Sequence, residues 1–325
     1  MNAGTLCTAL NEVSIRYLEH RRALGRQYAH EESVIASLCR FLVTIEAVDL
    51  DQVHFDSWCA TFAALNANTR RNRQRIVRNL CVYRRRTDPQ CFVPNVNRFA
   101  RPRAYAAPRI FEPSDIARML AATRQLKPTH LSPLLPFVMR LAVVLLYMAG
   151  LRRRELLRLT LQDVDADNGI LRIRESKFHK SRLVPLSRDA RHELLAYLQH
   201  RSRRPFLTAP SSPLLCNCTR GFHGYTGTGL TRGIQALFAA ADVHDRHGQR
   251  PRIHDFRHVF ALQALLRWYQ ADLDVQSHLP KLAMYMGHVS IVSTAYYLKW
   301  IPAIAAAASA RFERRCGHLI EGEQA

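Results

Sequence analysis

Apolar residues in the first hundred positions recur at helical spacing and predict a run of amphipathic helices. Leu10, Val13, Tyr17 and Leu24 fall on one face of the first, Val34, Leu38, Phe41 and Leu42 line the second, and Trp58, Phe62 and Leu65 mark the third. A fourth begins near Asn68-Thr69, where either side chain can cap it, and carries Arg70, Arg71, Arg73, Arg75 and Arg78 before Arg84-Arg85-Arg86. From Pro94 to Pro113 the periodicity fades into prolines and arginines, which reads as a linker. Glu112-Pro113-Ser114-Asp115 has the form of a helix start and opens a longer second domain. There Leu141 to Met148 reads as a buried helix closed at Ala149-Gly150, and Arg152 to Leu161 as another. Leu171 and Ile173 alternate with Arg172 and Arg174, and Arg182-Leu183-Val184-Pro185-Leu186 follows across a polar turn, the pattern of a small β-hairpin. The remainder reads as helices, ending in an alanine-rich tail from Ile301 through Arg311-Phe312-Glu313. The expected architecture is mainly α: a helical bundle over 1–93, a basic proline-rich linker over 94–111, and an α+β domain with a small hairpin over 112–325.

Charge narrows the range of partners. Lys and Arg number 47 against 26 Asp and Glu, a net +21, and such an excess favours a polyanion, nucleic acid ahead of acidic lipid. No apolar run reaches the roughly 20 residues that span a bilayer, and Met1 to Thr5 lack a signal peptide's basic and apolar regions. The expected location is the cytoplasm, on the bacterial nucleoid. The arginines between Arg70 and Arg78 lack the acidic i,i+4 partners of an ordinary solvated face, so they are candidates for phosphate contacts. Eight cysteines with no C-x-x-C pair read as reduced core thiols, and Cys216-Asn217-Cys218 near His223 lacks the fourth ligand and spacing of a zinc site.

The candidate chemistry lies late in the chain. Gly287-His288 is followed nine positions later by Tyr297, and His254-x-x-Arg257 stands upstream. Neither a metal-binding pattern nor a phosphate-cradling glycine loop accompanies them; Gly224 to Gly229 lacks the required Lys-Ser/Thr ending. Phosphoryl transfer without metal needs cations to neutralise the transition state, and two guanidiniums do this through fixed paired donors. Arg152, directly after Ala149-Gly150-Leu151, and Arg257 are the candidates, while His258 reads as a structural hydrogen-bonding partner. Two adjacent phenols, Tyr296 and Tyr297, could act as nucleophile, and the nine-residue spacing from His288 favours Tyr297.

Four segments in order carry a family resemblance: Ala149-Gly150-Leu151-Arg152 with Glu155-Leu156, Ser176-Lys177 with Arg182 to Leu186, His254-Asp255-Phe256-Arg257-His258, and Met286-Gly287-His288 ahead of Tyr297. Together they resemble the catalytic domain of the tyrosine recombinases, or phage-integrase family, over nearly the whole second domain. The resemblance implies a SAM-like core-binding bundle in front, with duplex DNA clamped between the two. It also implies catalytic roles for Arg152, Lys177, His254, Arg257, His288 and Tyr297, with Tyr297 attacking a phosphate to give a 3′-phosphotyrosyl link. Lys177 would protonate the leaving 5′-oxygen, with Lys180 as the alternative; His254 would serve as base or positioner, and His288 would donate to a non-bridging oxygen. No cofactor or metal is implied. The partners implied are double-stranded DNA, a homotetramer on synapsed sites in which the tail docks on a neighbouring protomer, and accessory recombination proteins.

The segment Asp272 to Pro280 is longer than the connection in many phage integrases and resembles the transposon and insertion-element branch, which suggests mobility of a genetic element. Two other readings remain at this stage. A type IB topoisomerase would use the same chemistry to rejoin its own strand, and a DNA-binding protein could keep the scaffold without catalysis.

Overall fold

The structure, a computed structural model, describes residues 6–25, 27–102, 108–174, 181–204, 206, 208–218, 223–245, 247–288, 306 and 308–314. The chain divides into two compact units, Met1–Ala106 and Ala107–Ala325. Helices dominate both, and the described strands form one small sheet in the second.

In the first unit α1 (Leu6–Ala23), α2 (Ala29–Thr44), α3 (Gln52–Ala60) and α4 (Ala67–Arg84) form a bundle in which α2 touches the other three. Its core joins Tyr17, Leu38, Trp58, Val77 and Leu80, all essentially closed to water. Two expected core positions lie outside it: Leu24 falls beyond the end of α1 and is 61% exposed, and Leu65 follows α3 and is 38% exposed. The α4 cap also sits earlier than expected, since Asn66 accepts from the Thr69 N–H at 2.9 Å. Within the stretch read as a linker, Asn95 caps a short 3-10 turn over Val96–Arg98, Phe99 is buried in the bundle core, and the Ala100 N–H donates to Gln74.

The second unit is built around α6 (Leu135–Met148). Seven consecutive side chains are apolar in its last two turns, Leu141 to Tyr147, and a helix apolar around its circumference must be covered on every side. It packs against α5 (Pro113–Thr123), α7 (Arg153–Arg158), α8 (Arg188–Ser202), α9 (Gly227–Ala240) and α10 (Asp255–Gln270). Glu112 and Asp115 set the start of α5 as the sequence suggested, the Glu112 N–H donating to Asp115 Oδ2 at 2.7 Å. Phe111, just before it, is buried edge-on to Phe256 at 5.0 Å and Phe238 at 5.8 Å, which ties the start of this unit to the first turn of α10.

The expected hairpin is present and gains a third strand. β1 (Val164–Asp165), β2 (Ile170–Ile173) and β3 (Arg182–Pro185) pair antiparallel in that order, with Leu171 opposite Val184 and Ile173 opposite Arg182. Leu171, Ile173 and Val184 enter the core. α11 (Val275–Met286) then packs on α10 and β3.

Two boundaries differ from the sequence reading. The helix expected over Arg152 to Leu161 is only α7, with Arg152 as its cap in extended conformation and a 3-10 turn at Leu161–Asp163. The long connection expected over Asp272 to Pro280 is short: Asp274 caps α11 by accepting from the Gln276 N–H, and Pro280 lies inside the helix. Proline there removes a backbone donor, and burial of Val275, Leu279, Leu282 and Met286 outweighs that cost. Helical residues near 308–314 follow, and Arg311 pairs with Asp272 at 2.8 Å and donates to the Leu273 carbonyl at 2.6 Å within the same chain. Among the described residues no helix is long and apolar enough to cross a membrane. The cysteines described at 39, 59, 81, 91, 216 and 218 are free thiols.

Gly150 joins α6 to α7 with φ of +58°, and a Cβ there would sit 2.6 Å from Phe260 Cδ1. Gly150→Ala should therefore cost at least the 1–3 kcal/mol typical of strained backbone, measured by urea unfolding. Unchanged stability would contradict this account of the turn.

Candidate active site

The C-terminal end of α11 organises the site. Gly287 adopts a left-handed backbone with φ of +66° and ends the helix in a Schellman turn: the His288 N–H donates to the Ala283 carbonyl at 2.8 Å and the Gly287 N–H to Met284 at 3.0 Å. The next three carbonyls each accept from a different arginine. Arg182 Nε donates to Tyr285 O at 2.7 Å, Arg257 Nη2 to Met286 O, and Arg152 Nη2 to Gly287 O at 3.0 Å. Cations are favoured at this end of a helix, where the carbonyl dipoles are unopposed. Gly287 is also required for space, because a Cβ there would lie 2.9 Å from Arg182 Nη1.

Glu155 holds two of these arginines together. Its side chain is 4% exposed, and its carboxylate accepts from Arg152 Nη1 at 2.7 Å, the Arg152 backbone N–H at 2.9 Å, and Arg182 Nη1 and Nη2 at 3.0 and 2.9 Å. Burial by itself would raise this carboxyl's pKa, but hydrogen bonds and charge from Arg182, then Arg152, outweigh it and hold the group at about 2. Glu155 and Arg182 carried no role in the sequence reading. The signal for Glu155 was present, since an acid three residues after a helix-capping position is a capping pattern. Arg182 stood in one of the four motif segments, but nothing in that segment named its partners.

The three consecutive arginines at 152–154 separate by function. Arg152 turns to Glu155 and α11, Arg153 donates to Thr231 on α9 at 3.0 Å, and Arg154 is exposed. Arg257 is 1% exposed, and its Nη1 donates to the Gly150 carbonyl at 2.7 Å, so it joins the end of α6 to the end of α11. His254 caps α10 and is exposed, with its ring edge-on to the buried His258 at 4.8 Å. His288 is half-buried beside the arginines. The surrounding protein, then Arg257, push His254 below the usual histidine range; burial, then Arg257, Arg152 and Arg182, push His288 down to about 4. Both imidazoles are therefore neutral at pH 7. A cleft of about 470 Å³ borders Glu155, with Arg158, Arg172 and Arg174 on its walls. Among the described residues no group of three or more His, Cys, Asp or Glu is placed to hold a metal ion.

Of the six expected catalytic residues, Arg152, His254, Arg257 and His288 gather in this region, while Lys177 and Tyr297, with Tyr296 and Lys180, lie outside the described residues. The α4 arginines do not form one face. At about 100° per residue Arg71, Arg75 and Arg78 share a face, whereas Arg70 and Arg73 flank the core side occupied by Val77 and Leu80. Arg73 lies 5.1 Å from the Phe62 ring centre and Arg71 donates to the Ala100 carbonyl. Arg84, at the end of the run, is neutralised by Asp49 and Asp88, acids that lie far from the run or beyond it in sequence.

Residues 109–301 match the phage integrase family, and the chain belongs to that family. Its class is the tyrosine recombinases, site-specific enzymes that cleave and rejoin DNA. The chain is 31% identical over 297 residues to "Putative integrase/recombinase y4rE" of Sinorhizobium fredii, covering 89% of this chain and 91% of that protein. It is 33% identical over 306 residues to "Putative integrase/recombinase y4rB" of the same organism, covering 92% and 95%. Among solved structures, the Tn1549 transposon integrase in complex with transposon right end DNA aligns with a TM-score of 0.63 at 16% identity, covering 94% of this chain and 98% of that one. The XerH site-specific recombinase bound to its palindromic difH substrate aligns with a TM-score of 0.60 at 17% identity, covering 86% and 78%.

Removing the buried anion leaves two guanidiniums facing each other, so Glu155→Gln should cost about 3–5 kcal/mol in urea unfolding, and a change near zero would contradict the geometry. His288 should titrate near 4 by NMR, well below the ordinary 6.5. Because the unfolded chain takes up this proton first, its contribution to stability should be full above about 6.5 and decline as the pH falls toward 4. A His288 titration at 6 or above would contradict the arginine cluster around it.

Proposed function

We propose that this chain is a recombinase of a mobile genetic element that exchanges DNA strands through a 3′-phosphotyrosyl intermediate. The observation that carries the reading is the convergence of Arg152, Arg257 and His288 on one helix end, with the carboxylate of Glu155 holding Arg152 in place. In the proposed reaction the Tyr297 oxygen attacks the scissile phosphorus. Arg152 and Arg257 stabilise charge on the non-bridging oxygens, and His288 donates a hydrogen bond to one of them. His254, neutral at pH 7, accepts or orients the phenol proton. The bond to the 5′-oxygen breaks, and that oxygen takes a proton from Lys177. A 5′-hydroxyl from a partner strand then attacks the phosphotyrosyl link and releases the enzyme, so bond energy is conserved and no ATP is consumed.

Arg71, Arg75 and Arg78 are proposed phosphate contacts of the first unit, and Arg70 and Arg73 contribute there through the local potential. The DNA-bound relatives support duplex DNA as the partner. The likeness of the fold to a transposon integrase supports element mobility as the role. A homotetramer on two synapsed sites, with accessory proteins on the nucleoid, completes the reading.

Strand transfer tests it. A labelled nicked duplex carrying the element's end, incubated with a partner duplex, should give a joined product with wild type and with Tyr296→Phe, and none with Tyr297→Phe. Transfer that survives Tyr297→Phe and is lost in Tyr296→Phe would reassign the nucleophile. Cleavage followed only by resealing of the same strand would replace recombination with a topoisomerase activity.

A further inference from the structure

Of the three arginines on the end of α11, Arg182 has no task in the reaction just described. Its side chain is 9% exposed, and all three of its nitrogens are committed: Nε to Tyr285 O at 2.7 Å, and Nη1 and Nη2 to the Glu155 carboxylate at 3.0 and 2.9 Å. Both of its Nη atoms are thus paired with a carboxylate, whereas Arg152 commits one. Taking a guanidinium out of water costs several kcal/mol before its partners compensate, and an apolar strand residue would fill the position without that cost. The arrangement calls for a geometric reason.

Topology supplies one. Arg182 is the first residue of β3 and pairs with Ile173, the last residue of β2, and Lys177 lies between these two positions in the sequence. Arg182 bolts this end of β3 to the end of α11, and the Tyr285 hydroxyl, donating to Pro185 O at 3.2 Å, bolts the other end of β3 to the same helix. Tyr285 is in turn stacked on Phe260 of α10 at 5.4 Å. The hairpin is thus registered against the helix end that also holds Arg152 and Arg257. Gly287 is fitted to this arrangement, since any larger residue would push Arg182 away.

We propose that Arg182 is a positioning residue for protonation of the leaving group: by clamping the hairpin base to the end of α11, it sets where Lys177 stands relative to the phosphate held by Arg152 and Arg257. The inference rests on the reading of Lys177 as general acid. In that step the bond from Tyr297 Oη to phosphorus forms as the bond from phosphorus to the 5′-oxygen breaks. The electron pair left on that oxygen takes a proton from the Lys177 ammonium, which becomes a neutral amine.

The test compares single-turnover cleavage of two nicked duplexes, one natural and one with sulfur replacing the 5′-bridging oxygen. A thiolate leaves without a proton, so a defect in general-acid catalysis disappears on sulfur while a defect in the attack or in the fold remains. Arg182→Gln should slow the oxygen substrate roughly 10²-fold and the sulfur substrate by less than about threefold. Arg182→Lys should fall between wild type and Arg182→Gln, because it restores the charge without the fork. The ratio of the two rates does not depend on how much of the variant is folded. Equal slowing on both substrates overturns the inference. Lys177→Ala on the same pair separates the two ideas: if sulfur rescues Lys177→Ala but not Arg182→Gln, the role of Arg182 fails alone, and if sulfur does not rescue Lys177→Ala, the general-acid assignment fails and takes the inference with it.

Discussion

The carbonyls at the end of α11 have no partners within the helix, and the protein meets most of that need with arginine. Two are closed by the Schellman turn at Gly287-His288, and the following three by Arg182, Arg257 and Arg152. Three guanidiniums at one helix end would repel one another in water-poor surroundings, and the buried Glu155 carboxylate makes the arrangement tenable by bridging two of them. The interactions fix the identity of each element's contribution: the cap of α7 supplies Arg152, the first residue of β3 supplies Arg182, and the first turn of α10 supplies Arg257.

The same contacts bring three guanidiniums to one place. Arg257 reaches the Gly150 carbonyl as well as α11, so it is anchored directly to the end of α6. Burial, then the neighbouring arginines, keeps His288 neutral, and His254 is shifted in the same direction. In the proposed reaction these imidazoles serve as hydrogen-bond donor and base.

Much of this was legible in the sequence. The apolar periodicity gave three of the bundle's helices, the alternation of Leu171 and Ile173 with arginines gave the hairpin, and Ala149-Gly150, His254-x-x-Arg257 and Gly287-His288 marked the site. Each of those glycines has a left-handed backbone and a neighbour too close for a Cβ, which is why they stand out as motif positions. What could not be read was long-range pairing. Arg182 stood in a motif segment, but its contacts could not be read, because they lie with Glu155, 27 residues earlier, and Tyr285, 103 residues later. The Asp49 partner of Arg84 could not be read either, because it lies 35 residues away. Pro280 suggested a connection, and only the apolar residues around it in three dimensions show why a helix tolerates it.

The central claim is that arginines held on a helix end, rather than a metal ion, stabilise the phosphoryl transfer. Single-turnover formation of the covalent protein–DNA complex on a nicked duplex in excess EDTA tests it most directly. The account predicts the same rate with and without chelator, and a loss of roughly 10²–10³-fold in Arg152→Ala under both conditions. Cleavage that appears only when a divalent cation is restored, or that proceeds unchanged in Arg152→Ala, would contradict it.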